Sequence, residues 1–210
     1  MAEAKICGVT TPLAIDAAAA HGARFIGLVF FPASPRHVSL DGAAALAARA
    51  RGRLEIVALT VDASDAELEA IARAVRPDWV QAHGRESPER TSALRRFASR
   101  GVIKALGIAT AQDLAEARAY APAADMLLFD AKPPPGGAPG GNAAAFDWQI
   151  LAGQRFSRPW LLAGGLTPPN VGEAIRLSGA SLVDVSSGVE RAPSLKDPSL
   201  IAQFLAAARA

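Results

Sequence analysis

Two glycine-bearing segments carry the clearest chemical signal in the chain, Ala163-Gly164-Gly165-Leu166 and Ser186-Ser187-Gly188-Val189-Glu190. Glycine lets backbone N–H groups come close to an anion, and the start of a helix adds a favourable dipole. Together they point to a phosphorylated small-molecule substrate, with Gly164, Gly165, Ser186, Ser187 and Gly188 as the phosphate-binding residues. Two tight turns that need positive φ are the plainer reading of the same glycines. A second group holds polar side chains at or just beyond the ends of short apolar runs: Cys7, Arg36, Asp62, His83, Asp130 and Asp184. Thiols, imidazoles and carboxyls are the groups that move protons in general acid–base catalysis. Each alone has a bland alternative, since a lone cysteine is most often a small buried hydrophobe and a lone histidine a structural one. Their convergence on one rim is what would make a site.

Such convergence requires a particular fold. Short apolar runs lie at 5–7, 25–30, 55–61, 79–82, 102–105, 126–129, 160–163 and 182–185. They are apolar on successive residues, as suits strands buried on both faces of a parallel sheet. Helix signals separate them. Ser64-Asp65-Ala66-Glu67 reads as a capping box, and Thr11-Pro12, Ser87-Pro88 and Asp197-Pro198 each put a capping side chain before a first-turn proline. Leu200, Ile201, Phe204, Leu205 and Ala208 form one apolar stripe near the end of the chain. The 210 residues divide into eight βα units of about 26 residues, which leaves nothing for a second domain. Eight units predict a single-domain (β/α)8 TIM barrel over 1–210, with the active site at the C-terminal ends of the strands. A Rossmann-type open sheet should carry G-x-G-x-x-G after the first strand, where Gly8-Val9-Thr10-Thr11 stands instead. The Pro/Gly-rich segment 131–145 follows the sixth strand and reads as a long active-site loop at that rim.

Composition narrows the function classes. At 50% hydrophobic and 20% charged residues, disorder and collagen-like repeats are excluded. One cysteine and three histidines supply neither an internal disulfide nor a Cys-rich zinc cluster, and no metal site is expected. No basic-then-apolar leader opens the chain and no apolar run approaches a bilayer span, so a cytoplasmic protein without a membrane partner is expected. The net charge is only +2, and the small clusters Arg49, Arg51, Arg53 and Arg95, Arg96 read as solvated helix faces. Nucleic-acid binding would want a longer basic stripe with aromatics, which are 6% here.

The order of motifs is informative. Lys5-Ile6-Cys7-Gly8-Val9-Thr10, Phe31-Pro32-Ala33-Ser34-Pro35-Arg36-His37-Val38, Gln81-Ala82-His83-Gly84, Phe146-Asp147-Trp148, Ala163-Gly164-Gly165-Leu166 and Val183-Asp184-Val185-Ser186-Ser187-Gly188-Val189-Glu190 resemble the successive motifs of the phosphoribosylanthranilate isomerases of tryptophan biosynthesis. Asn170-Val171 and Lys196-Asp197 fit as well, so the resemblance runs from residue 5 to about 198. It implies a cofactor-free Amadori rearrangement of N-(5-phosphoribosyl)anthranilate to 1-(2-carboxyphenylamino)-1-deoxyribulose 5-phosphate. By position in the family's pattern, Asp130 is the acid and Cys7 the base. An ordinary Asp (pKa ~3.9) is mostly ionised at neutral pH and an ordinary thiol (~8.5) mostly protonated, so the site must tune them or use minor populations. Arg36 is the expected cation near the thiol and a fork for the anthranilate carboxylate, with His83 and Asp184 positioning the substrate. A monomer or homodimer is expected.

The chain departs from the family's pattern in places. Asp62 stands where Asn is common, Ser194 where Gly is common, and Gly140-Gly141-Asn142-Ala143 has Ala for the last glycine. Two other readings keep the barrel: a phosphosugar isomerase of the histidine-pathway type, and a non-catalytic phosphosugar-binding barrel. The former tends to use paired Asp and to show half-barrel similarity, and the latter needs neither Cys7 nor Asp130.

Overall fold

The computed structural model describes residues 1–132 and 146–210. Eight parallel strands close into a barrel in chain order: β1 Glu3–Cys7, β2 Phe25–Phe30, β3 Glu55–Thr60, β4 Trp79–Ala82, β5 Gly101–Ile108, β6 Met126–Ala131, β7 Trp160–Leu162 and β8 Leu182–Val185. β1 closes the ring by pairing with β8, Ile6 opposite Val185, while its other edge sets Cys7 opposite Gly27. The helices α1 Pro12–Ala20, α2 Leu40–Ala50, α3 Asp65–Val75, α4 Pro88–Ala93, α5 Ala111–Ala117, α6 Val171–Ser178 and α7 Pro198–Ala207 form the outer layer. The expected (β/α)8 architecture is therefore present, and the eight apolar runs each coincide with a strand to within a few residues. The predicted loop at 131–145 lies, apart from Ala131 and Lys132, outside the described residues, as does Ala143.

Local chemistry starts the helices as the sequence predicts. Thr11, Ser64, Ser87 and Asp197 each accept a backbone N–H of the first turn, and Ser64 and Glu67 close a reciprocal capping box. Ile201, Phe204, Leu205 and Ala208 are buried as one stripe, with Leu200 at its margin. The sixth unit departs from the even βα rhythm. Among its described residues, a 3-10 turn, Trp148–Leu151, stands between β6 and β7, and Gly153 beyond it adopts φ 69°. An unexpected hairpin, β9 Glu190–Ala192 and β10 Leu195–Lys196, stands between β8 and α7.

Side chains alternate along each strand, so every second residue enters the barrel lumen. Phe25, Val57, Trp79, Ile103, Met126, Leu128, Leu161 and Leu182 fill its interior, with Phe25 and Trp79 edge to face at 6.5 Å. The basic clusters are not simply solvated. Arg49 and Arg53 both bind Asp16 on α1, Arg51 donates to the carbonyls of Val75 and Arg76 at the end of α3, and Arg95 and Arg96 reach Asp125 and Asp65. They tie neighbouring elements together. No helix among the described residues is long and apolar enough to cross a membrane.

Candidate active site

The alternation that fills the lumen also brings its polar residues to one end. Cys7 (β1), His83 (after β4), Asp130 (β6), Asp184 (β8), Ser186 (just after β8) and Arg36 (the loop after β2) line a single cleft of about 640 Å³, its open mouth included. Its other walls are mainly apolar, among them Val29, Phe31, Pro35, Leu59 and Val61. β1 and β6 lie three strands apart by the shorter way round the ring, so the thiol and the carboxyl approach the cleft from opposite sides. Asp62 is not part of this lining. It takes φ 50°, accepts the Arg85 N–H at 2.7 Å and packs on Gly84, a turn role that Asp tolerates almost as well as Asn.

Each polar side chain has a defined partner. Asp130 accepts the Ala131 N–H at 2.8 Å on one oxygen and presents the other 3.6 Å from His83 Nε2. Gln81 Nε2 lies 2.9 Å from His83 Nδ1, so the amide braces the ring from the side away from Asp130. Arg36 meets Glu190 in a two-point pair, Nε to Oε1 at 2.7 Å and Nη2 to Oε2 at 2.9 Å. Lys196 Nζ also reaches Glu190 Oε1 at 2.5 Å, and donates to the Ser186 carbonyl at 3.1 Å and Oγ at 3.3 Å. Ser186 Oγ in turn donates to the Cys7 carbonyl at 3.2 Å. Burial pulls the Lys196 ammonium below its usual range, against the attraction of Glu190.

The thiol's closest cationic influence is not Arg36, as expected from the sequence, but Lys5. Lys5 is fully buried and binds Asp184 Oδ1 at 3.0 Å. Burial would neutralise its ammonium, but Asp184 and Cys7 hold it charged, above the ordinary lysine range. Burial pushes the Cys7 thiol up, opposed first by Lys5. It also pushes the Asp184 carboxyl up, against the pull of Lys5. Arg36 is committed instead to Glu190 because its chain runs along the loop after β2 toward the β9–β10 hairpin. Lys5, Gln81, Glu190 and Lys196 stand within the quoted motifs but were given no role there, and each contacts a residue of the cleft. Period-two spacing from Cys7 and His83 would have found the first two.

The glycine segments sit beside this cleft. Gly164 and Gly165 take φ 85° and 65°, and a Cβ on Gly164 would lie 2.7 Å from the Ala131 nitrogen. A Cβ on Gly188 would overlap the Leu166 carbonyl, so the loops after β7 and β8 pack on one another only because that side chain is missing. Asn170 braces the first loop, accepting from Thr167 N at 2.7 Å and donating to Gly165 O at 2.9 Å. Ser187 and Gly188 open a 3-10 turn, Ser187–Val189, whose first N–H groups have no intrahelical acceptor. Among the described residues no backbone carbonyl accepts from Gly164 or Gly165 N–H.

Comparison with known proteins agrees with this geometry. The family model described as N-(5'phosphoribosyl)anthranilate (PRA) isomerase matches residues 4–207. The chain is 53% identical over 208 residues to N-(5'-phosphoribosyl)anthranilate isomerase of Paramagnetospirillum magneticum, covering 99% of this chain and 97% of that protein. The counterpart from Rhodopseudomonas palustris is 54% identical over 209 residues, covering 99% and 96%. Among solved structures, phosphoribosyl anthranilate isomerase from Thermotoga maritima superposes with a TM-score of 0.89 at 33% identity, covering 100% of this chain and 99% of that one. A phosphoribosyl anthranilate isomerase in complex with reduced 1-(o-carboxyphenylamino)-1-deoxyribulose 5-phosphate does so at 0.86 and 31%, with the same coverage.

Proposed function

The chain belongs to the N-(5'-phosphoribosyl)anthranilate isomerase family, and from that membership we propose how its own residues carry the reaction. It is an isomerase of tryptophan biosynthesis that converts N-(5-phosphoribosyl)anthranilate to 1-(2-carboxyphenylamino)-1-deoxyribulose 5-phosphate. Asp130 gives its proton to the ribose ring oxygen, the C1–O bond breaks, and the furanose opens to a protonated Schiff base. Cys7, as thiolate, removes the C2 proton, and the electron pair moves into the C1–C2 bond to give the enolaminol. A proton returns to C1 as the C2 hydroxyl loses its own, leaving the ketone. No external oxidant or reductant enters.

The observation that carries this reading is the entry of Cys7 and Asp130 into one cleft from opposite sides of the barrel. The remaining groups take positions that suit the substrate. Arg36 spends its Nε–H and one Nη2–H on Glu190, so its outer edge, Nη1 and the second Nη2 proton, can fork a carboxylate. Asp184 and His83 hold the substrate's amine and hydroxyls, and Asp184 accepts the anthranilate N–H. Gly164, Gly165, Ser187 and Gly188 bind the phosphate through backbone N–H groups, with Ser186 shaping the same turn. All of these groups come from one chain, so a monomer suffices and a homodimer would hold two independent sites. The closure of one sheet around one lumen supports a single domain. A reduced Cys7 thiol suits the cytoplasm.

The test is a pair of substitutions. Cys7→Ser and Asp130→Asn should each lower kcat by about two orders of magnitude or more while a reduced product analogue binds with similar affinity. Turnover at the unsubstituted rate in either variant would remove that residue from its role.

A further inference from the structure

We propose that Lys5 is a positioning residue for the reaction: anchored by Asp184, its ammonium stabilises the anion that the Cys7 sulfur must become to act as base. The proposal rests on the reading of Cys7 as the base. Lysine is almost never fully buried without a partner, yet Lys5 sits inside the barrel with no exposure at all. Its ammonium has three donors, and Asp184 Oδ1 takes one at 3.0 Å. The sulfur is the next group: Lys5 and Cys7 are two residues apart on β1 and project to the same side. Gly27 opposite them makes the approach possible, because a Cβ there would stand 2.9 Å from Cys7 Sγ and 3.2 Å from Lys5 Nζ.

The other charged groups around the cleft are engaged elsewhere. Arg36, from the loop after β2, is paired with Glu190. Lys196, from β10, is held by Glu190 and by the Ser186 carbonyl and hydroxyl. His83, after β4, faces Asp130 on β6, and Asp130 and Asp184 are carboxyls that oppose a thiolate. Lys5 is the strongest influence favouring the anion, and Lys196 a weaker one. A buried ion pair is a poor source of stability compared with well-packed apolar side chains, so a purely structural role explains Lys5 badly.

Cys7 is the chain's one cysteine, so the ultraviolet absorbance of thiolate, with the Cys7→Ser titration subtracted to remove the Tyr120 phenolate, follows it in the folded protein. In Lys5→Gln the midpoint of that titration should rise by about one pH unit or more, with kcat at neutral pH falling about tenfold and recovering as the pH is raised. KM should change little, and Lys5→Arg should restore the lower midpoint in part. Should Lys5→Gln not fold, the Asp184→Asn variant should titrate lower than the unsubstituted protein, and Lys5→Met combined with Asp184→Asn higher than Asp184→Asn alone. A midpoint that does not move on loss of Lys5 overturns the proposal, whatever the activity. Because the titration needs no turnover, it stands apart from the Cys7→Ser assay, which tests the base itself.

Discussion

Arg36 and Glu190, 154 residues apart in the chain, meet edge to edge through two charge-assisted hydrogen bonds at 2.7 and 2.9 Å. The pair sets the plane of the guanidinium and leaves only its outer edge for a second carboxylate. Glu190→Gln should therefore let Arg36 swing and raise KM about tenfold, the loss of one good hydrogen bond's worth of orientation, with a smaller change in kcat. Steady-state kinetics would check the split. A fall in kcat alone would show that Glu190 does not act through substrate binding.

The same carboxylate should leave a mark on acid stability. Burial raises the Glu190 pKa, but the hydrogen bonds from Arg36 and Lys196 outweigh it, and the net position is below the ordinary glutamate range. Its folded value is thus lower than its unfolded one of about 4.3, so its contribution is complete above that pH and is lost as the pH falls through the folded value. Thermal melts between neutral and acid pH should show a steeper loss in the unsubstituted protein than in Glu190→Gln.

Lys104 and Glu86 form a buried pair on the outer side of β5, at 2.7 Å. Glu86 also accepts the N–H groups of Asp62 and Gly84, and Lys104 donates to the Gly84 carbonyl, so the pair braces the loop that begins at His83. Lys104→Met strands a buried carboxylate and should cost about 3–5 kcal/mol, whereas Lys104→Met with Glu86→Gln should recover part of it. Denaturant unfolding would measure both.

Ser194 turns the β9–β10 hairpin at φ 65°, where a Cβ is unwelcome. Ser194→Gly should raise stability by about 0.5–1 kcal/mol and leave kcat unchanged, since only backbone strain is relieved. A lower melting temperature would contradict it.

Gly188 is intolerant for a different reason. Its Cβ would strike the Leu166 carbonyl, a backbone atom that cannot step aside alone. Gly188→Ala should push the two glycine loops apart and raise KM for a phosphorylated substrate at least about tenfold, with little effect on far-UV circular dichroism. Inorganic phosphate should protect the unsubstituted protein against heat more than the variant.

Strand order, helix caps and the barrel were readable before any coordinates because each is a local property. Apolar runs, a capping serine such as Ser64 and a first-turn proline such as Pro198 act within a few residues of themselves. The motifs likewise singled out Cys7 and Asp130, which the fold brings into one cleft. They left out the 3-10 turn at Trp148–Leu151 and the β9–β10 hairpin, for which no local signal was read. They also paired the thiol with the wrong cation. Arg36 stands in a recognisable motif, but which anion it serves depends on Glu190, whose approach is a matter of loop path. Lys5 lies two residues from Cys7, and only closure of β1 onto β8 sets Asp184 against it, with both side chains buried. Local free energies act over a turn or a strand and leave their trace in residue order, whereas the balance of buried charges arises between residues nearly the whole chain apart, where burial and partner distance decide it.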